Sequence, residues 1–229
     1  MIVETRTTVL LQRLAAIIFA GITTLATTSI GIGSYYATLT NYRSVTGTFA
    51  VPYTTLVWGI ITVLITVLAQ IAMKHPAKGI LGATILLTGL TAAGIGLTTA
   101  THVMQQDTLD EVVATNIRRE ITRMNVTKEA SQFDGIQQDL ECCGSTSYKI
   151  YATMDSYRHG SVPISCCINK TMSCNQPPLE GKIYKDGCEN PLIKIMVSAI
   201  RHCTIALGLM GTAMSAVWVT FLIWFSICL

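Results

Sequence analysis

Residues 142–144 read Cys-Cys-Gly, and a second adjacent pair ends the stretch Pro-Ile-Ser-Cys-Cys at residues 163–167. The polar segment around them contains six cysteines, which are Cys142, Cys143, Cys166, Cys167, Cys174 and Cys188. An even number of clustered cysteines predicts a disulfide framework, which persists in an oxidising compartment. A cytosolic zinc site is the alternative, but zinc ligands usually come as Cys-x-x-Cys pairs. The segment is therefore predicted to lie outside the cytoplasm.

Four long apolar runs occupy most of the remaining chain. Half of the residues are hydrophobic and 13% are charged, whereas an ordinary soluble domain has about 25% charged residues. A helix that crosses a bilayer needs about 20 apolar residues, and the runs 14–36, 53–73, 79–101 and 203–225 all qualify. The first run is too long for the core of a signal peptide and is followed by further spans, so we expect it to be retained. The predicted fold is an all-α membrane protein with a four-helix transmembrane bundle.

Basic residues decide the predicted orientation of this bundle. The N-terminal segment and the short turn between the second and third spans each carry two Lys or Arg residues. The positive-inside rule places such segments in the cytoplasm. The prediction has cytoplasmic segments at 1–13, 74–78 and 226–229, a small extracellular loop at 37–52 and a large extracellular loop at 102–202.

The large loop shows its own helical patterns. Apolar residues at helical spacing predict an amphipathic helix that continues the third span. They are Leu109, Val113, Ile117, Ile121 and Met124. Thr127 is the predicted N-cap of a second helix, which Gly144 would end. Residues 145–163 have no clear period, and residues 167–187 are predicted to be a loop.

Two sequons and one glycine repeat are further candidate sites. Asn125-Val126-Thr127 and Asn169-Lys170-Thr171 each allow N-glycosylation in a segment predicted to be outside the cell. In the third span, Gly82, Gly89 and Gly96 are seven residues apart and lie near one helix face. We expect this stripe to pack against another helix of the bundle.

These features together resemble the tetraspanin family. Residues 133–144, Phe-Asp-Gly-Ile-Gln-Gln-Asp-Leu-Glu-Cys-Cys-Gly, are similar to that family's helix B and signature. Residues 162–169, Val-Pro-Ile-Ser-Cys-Cys-Ile-Asn, resemble a six-cysteine subgroup that includes endosomal and lysosomal tetraspanins. The resemblance implies a mainly helical, disulfide-stapled large loop. It implies the pairs Cys142–Cys188, Cys143–Cys166 and Cys167–Cys174, whereas the sequence alone allows fifteen pairings.

The chain departs from the family pattern inside the membrane. Tetraspanins usually carry Asn in the first span and an acid or amide in the third and fourth, and these spans have neither here. Membrane lipids are expected partners. Sterol is a candidate among them, but its binding, which such groups assist in relatives, is not supported by polar intramembrane residues here. Cys228, near the predicted cytoplasmic end of the last span, is a candidate palmitoylation site, with an unmodified apolar residue as the alternative.

The sequence contains no phosphate-binding loop, nucleophile elbow or zinc signature. We predict no enzymatic activity, no cofactor, no metal site and no nucleic-acid partner. A small channel or transporter subunit, or a junctional structural protein, is the alternative class. The spans carry no charge of the kind that marks ion pathways, and claudin-like junction proteins place their disulfide loop between the first two spans.

The predicted function is that of a membrane organiser. It would associate laterally with other integral membrane proteins, such as receptors or adhesion proteins, with other tetraspanins and with itself. Residues 145–163 and 168–185 would supply the recognition surface. The tyrosines there are either interface anchors or part of the lobe's core. The predicted location is the plasma membrane, with endosomal or lysosomal membranes as the alternative.

Overall fold

The computed structural model describes residues 2–39, 50–74, 78–127, 132–154, 157, 161–169, 174 and 181–228. Its helices, in chain order, are α1 (Ile2–Leu39), α2 (Val51–Lys74), α3 (Lys78–Gln106), α4 (Leu109–Thr127), α5 (Gln132–Asp139) and α6 (Glu189–Cys228). Short 3-10 helices span Tyr148–Thr153 and Ile164–Cys166. Within α1, α2, α3 and α6 lie four segments long and apolar enough to cross a membrane. The predicted all-α class with four such helices is confirmed.

Helix starts follow from local chemistry. Pro52 lies in the first turn of α2, where its missing N–H leaves no hydrogen bond unmade. The first turn of α4 contains Asp110 and Glu111, whose negative charges suit the positive end of the helix dipole. The amphipathic helix predicted to continue the third span is present as α4, and a turn at Asp107–Thr108 separates it from α3. Asp and Thr compete with the helical backbone for hydrogen bonds and so favour helix ends.

The predicted N-cap at Thr127 is wrong, because Thr127 is the last residue of α4. The apolar repeat of α4 continues to Met124, and the helix extends to the end of that turn. The second loop helix begins at Gln132, and the residues between the two helices lie outside the described part of the chain.

One unit of the structure contains Met1–Ala37, Ala50–Met104 and Ile200–Leu229. Its larger apolar cluster draws on all four long helices and consists of Phe19, Ile22, Ile65, Ala69, Leu81, Met214, Val217 and Phe221. Threonines are buried in the same unit. The hydroxyls of Thr55, Thr84 and Thr91 each donate to the carbonyl oxygen four residues earlier, at 2.7–2.8 Å. Through these bonds each of the three hydroxyl protons is satisfied within its own helix.

The glycine stripe of α3 packs at one of its three positions. A β-carbon at Gly89 would lie 2.7 Å from Nε1 of Trp218 on α6, whereas one at Gly82 or Gly96 would meet nothing within 4 Å. The predicted packing is therefore wrong for Gly82 and Gly96. The buried residues of α3 include Leu81, Thr84, Thr88, Thr91 and Ile95. Gly82, Gly89 and Gly96 each directly follow one of these buried residues, so they lie at the margin of the buried face of α3. A glycine at this margin contacts another helix only where a large side chain lies opposite it.

Two histidine contacts join helices in this unit. Nδ1 of His202 lies 3.0 Å from the hydroxyl of Tyr36, and the two rings stack. Nε2 of His102, which is buried, lies 3.0 Å from Oγ1 of Thr54. The first contact links α6 to α1 and the second links α3 to α2.

The second unit contains Thr38–Phe49 and Gln105–Ala199. Its core combines the apolar stripe of α4 with residues of α5, the 3-10 helix after the Cys-Cys-Gly motif, and the first turns of α6. The fully buried members with large side chains are Ile117, Ile121, Phe133, Ile136, Tyr151, Leu192 and Met196. We refer to this unit as the lobe.

Candidate functional site

Three disulfides lie in the lobe. They join Cys142 to Cys188, Cys143 to Cys166 and Cys167 to Cys174, with Cα–Cα distances of 5.1, 5.1 and 6.0 Å. These are the same three pairs that the family resemblance implied. All six cysteines are buried, with at most 2% of any residue exposed. The sulfur bridges therefore form part of the lobe's core.

The segment 181–188 connects the two cysteine pairs through its backbone. Cys143 N donates to Asp186 O at 2.8 Å, and Cys188 N donates to Gly144 O at 3.0 Å. On the other side, Ile168 N donates to Lys182 O and Tyr184 N donates to Cys166 O, both at 3.0 Å. One extended segment thus pairs with both cysteine-containing stretches, which fixes their spacing.

The end of α5 positions the first cysteine pair. The helix ends at Asp139, so the prediction that Gly144 ends it is wrong. Glu141 has a left-handed φ of 52°. Its N–H donates to Gln138 O at 3.4 Å, and the N–H of Cys142 donates to Gln137 O at 2.9 Å. This pattern is a Schellman motif, in which the left-handed position is usually glycine.

Two glycines allow close backbone approach next to the disulfides. Gly144 has a φ of 73°, and a β-carbon there would lie 2.5 Å from the carbonyl oxygen of Ser147. A β-carbon at Gly187 would collide with the backbone of Ser145 and Thr146. The glycine of the Cys-Cys-Gly motif thus permits a turn, and the glycine of the Gly-Cys motif permits two backbone segments to touch.

A buried polar network lies beside the bridges. Nε2 of Gln137 donates to the Tyr151 hydroxyl. The Ser165 hydroxyl lies 2.6 Å from a carboxylate oxygen of Asp134 and 2.6 Å from the amide oxygen of Gln137. Its single proton can be donated to one of them at a time. The network connects α5 with both 3-10 helices, and sequence reasoning missed it. The only sequence signal is the place of Ser165 inside the Pro-x-Ser-Cys-Cys stretch.

Of the tyrosines in residues 145–163, Tyr151 belongs to the core, whereas Tyr148 and Tyr157 are half-buried. Tyr151 is fully buried, and its ring contacts that of Tyr157 edge to face, with centroids 4.9 Å apart. Burial raises the pKa of Tyr151 well above its ordinary value of 10.0, with smaller increases from Tyr157 and Asp134 and an opposing effect of the Gln137 hydrogen bond. Burial and the charge of Asp134 also raise the pKa of Tyr157. Tyr151 is therefore a core residue rather than an interface anchor.

The remaining candidate residues of the sequence analysis are Asn125, Asn169 and Cys228. Asn169 is exposed, whereas Asn125 lies in α4 and its side chain is outside the described part of the structure. Cys228 is the last residue of α6, and its side chain is also outside the described part. Cys203 is buried and free. Among the described residues, no three His, Cys, Asp or Glu side chains come together as a metal site.

Comparisons with known proteins agree with this arrangement. Similar curated proteins include the CD63 antigens of Homo sapiens, 41% identical over 59 residues, and Oryctolagus cuniculus, 38% over 55 residues. That of Rattus norvegicus is 34% identical over 61 residues. These matches cover 24–27% of this chain and 23–26% of the relatives, so the chain spans about a quarter of the length of the curated relatives it matches.

A family-level comparison covers far more of the sequence than those pairwise matches. The Tetraspanin family matches residues 8–229, which include the four apolar helices and the whole disulfide-linked lobe. The chain is a multi-pass membrane protein and belongs to the tetraspanin family.

Proposed function

We propose that this tetraspanin organises other proteins in the membrane, through lateral contacts of its helices and recognition by its lobe. The observation that carries the proposal is the disulfide framework. Three bridges and the backbone bonds of segment 181–188 hold together the described parts of the lobe's surface. Of the stretches predicted for recognition, residues 155–156, 158–160, 170–173 and 175–180 lie outside the described part of the chain. A preorganised surface loses less conformational entropy on binding. The lobe is therefore suited to recognition.

The proposed orientation places the lobe outside the cytoplasm and both termini inside it. Support comes from the basic residues of segments 1–13 and 74–78. The disulfides support the same orientation, because such bonds persist in oxidising compartments. The plasma membrane is the proposed location, and endosomal or lysosomal membranes are the alternative suggested by the likeness to the six-cysteine subgroup.

The outward faces of the helices provide the lateral surface. On α2 and α3, exposed large aliphatic side chains include Val57, Ile60, Leu64, Val67, Leu86, Leu90 and Leu97. Side chains of this kind suit lipid tails and the apolar faces of other membrane helices. The proposed partners are integral membrane proteins, including receptors, adhesion proteins and other tetraspanins. Sterol contact is not supported by polar intramembrane residues.

Crosslinking of the full-length protein in a mild detergent, followed by mass spectrometry, tests this function. The double variant Cys143→Ser/Cys166→Ser removes one bridge cleanly, and Gly135→Ala changes an exposed helical residue with no neighbour within 4 Å of an added β-carbon. We expect the double variant to lose most partner proteins and Gly135→Ala to retain them. Recovery of this chain alone would contradict the organiser role. Equal recovery with both variants would contradict recognition by the lobe.

A further inference from the structure

The outward face of α4 carries opposite charges on the two sides of its middle. Glu111 lies in the first turn of the helix, followed by Val112, which is 45% exposed. Two turns further along lie Arg118 and Arg119. Both arginines, Glu111 and the intervening Thr115 are exposed, whereas the other side of α4 contributes its apolar residues to the core of the lobe.

Helical geometry places these five residues on one stripe. With 3.6 residues per turn and a rise of 1.5 Å, Glu111 and Arg119 lie about 6 Å to either side of Thr115 along the axis. They lie about 40° to either side of it around the axis, and Val112 and Arg118 about 60° to either side. The small side chain of Thr115 is therefore the centre of a stripe that is acidic towards one end and basic towards the other.

This stripe is complementary to a second copy of itself. When two such helices pack antiparallel about a two-fold axis beside Thr115, Glu111 of one copy lies next to Arg118 of the other. The same axis brings Val112 against the aliphatic stem of Arg119 from the second copy, a packing that leaves the guanidinium group in water. An interface between identical subunits related by a two-fold axis requires self-complementarity of this kind.

Parallel packing of the same two faces is disfavoured by charge. It would set Glu111 beside Glu111 of the second copy and each arginine beside its own equivalent. Like charges at such close range repel. The charge pattern of α4 therefore selects a second copy of this chain in the antiparallel direction.

We propose that the outward face of α4 is a contact between two copies of this chain, related by a two-fold axis beside Thr115. Helices that pack in this way approach to about 8–10 Å between their axes, which a residue as small as threonine permits at the centre. The inference rests on the proposed self-association of this tetraspanin and deepens it, because it names the surface of the lobe that meets the second copy.

The contact alone is weak, because exposed ion pairs contribute little to binding free energy. The membrane helices compensate for this weakness, since they hold neighbouring chains at a high effective concentration. The ion pairs are exposed to solvent and are screened by salt. The contact should therefore form at physiological ionic strength and weaken as salt is added.

Cysteine trapping of the full-length protein in a mild detergent tests the pairing. Thr115→Cys places a thiol beside the two-fold axis, where two Cα atoms come within disulfide range, and we expect roughly fivefold more covalent dimer than for the control Thr122→Cys. Thr122 is exposed on the same face. It lies about 10 Å along the helix from Thr115, so its two copies are about 21 Å apart in an antiparallel pair. The three native bridges of the lobe are the folding check in both variants.

Charge reversal in the Thr115→Cys protein supplies a second measurement. Glu111→Lys should reduce the covalent dimer roughly threefold or more, because it creates like-charge pairs across the axis. Addition of Arg118→Glu and Arg119→Glu to the same chain should restore the dimer, since the opposite charges are then exchanged. Restoration would not follow if Glu111→Lys acted by unfolding the lobe.

Equal trapping at residues 115 and 122 would overturn the antiparallel pairing, as would the absence of a covalent dimer in Thr115→Cys. If Thr115→Cys gave no dimer while other membrane proteins were still recovered by crosslinking, this inference alone would fail. If the dimer formed and this chain alone were recovered, the organiser role would fail and the α4 contact would stand.

Discussion

At the residue scale, Glu141 occupies a backbone conformation that glycine usually adopts. Its φ of 52° closes the Schellman motif that places Cys142 and Cys143 for bridging. A left-handed conformation costs an L-residue roughly 1–2 kcal/mol. The Glu141 side chain is exposed, so packing does not require glutamate at this position. The lobe tolerates this cost because the bridges at Cys142 and Cys143, which directly follow Glu141, fix the direction of the chain.

Replacement of Glu141 by glycine should stabilise the lobe. The relief of strain is partly offset by the greater freedom of glycine in the unfolded chain, about 0.5–1 kcal/mol, so we expect a net gain of at most about 1.5 kcal/mol. Proteolysis of the lobe as a function of urea concentration measures this gain in the free energy of unfolding. Glu141→Ala is the control, since it removes the carboxylate but keeps the strain. A gain of the same size in Glu141→Ala would contradict the backbone explanation.

Tyr151 should make the lobe sensitive to alkali. Its pKa is raised in the folded state above the ordinary value of 10.0, so the folded form holds the phenol proton more tightly than the unfolded form. The stabilising contribution is fully present below pH 10 and is lost as the pH rises above it. Phenolate absorbance should show a late phase coupled to unfolding, which Tyr151→Phe removes. A simple titration of Tyr151 near pH 10 would contradict the burial.

At the element scale, close packing of helices depends on which glycines meet a neighbour. A β-carbon at Gly33 of α1 would lie 2.8 Å from Pro52 O and 2.9 Å from Leu56 N of α2. Gly31, two residues away on the same helix, has nothing within 4 Å of that position. The sequence alone gives no reason to distinguish Gly31 from Gly33. Only the placement of α2 distinguishes them.

We therefore expect Gly33→Val to destabilise the bundle and Gly31→Val to leave it nearly unchanged. At Gly33 the added side chain meets backbone atoms, which cannot rotate away, and overpacking of this kind costs roughly 1–3 kcal/mol. The midpoint of thermal unfolding in detergent is the measurement. Similar midpoints for the two variants would contradict this explanation. They would show that α1 and α2 can move apart at no cost in the free energy of unfolding.

At the scale of the whole molecule, the lobe and the membrane unit differ in what stabilises them. In a chain-entropy treatment, the Cys142–Cys188 bridge, with a sequence separation of 46 residues, contributes roughly 4 kcal/mol. This contribution is comparable with the net stability of a small domain, about 5–15 kcal/mol. The membrane unit contains the free Cys203 and, among its described residues, no disulfide.

Reduction should therefore unfold residues 144–188 and leave the membrane helices intact. We expect the lobe to become protease-sensitive while most of the helical circular dichroism remains. Cys203→Ala should behave like the wild type, because that thiol forms no bridge. Continued binding of a conformation-sensitive antibody after full reduction would contradict the dependence of the lobe on its bridges.

The sequence by itself determined the features that depend on local pattern and composition: four apolar spans, the helical repeat of α4 and a group of cysteines suited to disulfides. The family resemblance added the pairing. Tertiary structure alone decided the end of α5, the network around Gln137, the burial of Tyr151 and the contrast between Gly89 and its neighbours in the repeat. The physical reason is that a span or a repeat is set by residues close in the chain. A contact also depends on the side chain that a distant segment brings opposite, as Trp218 does for Gly89.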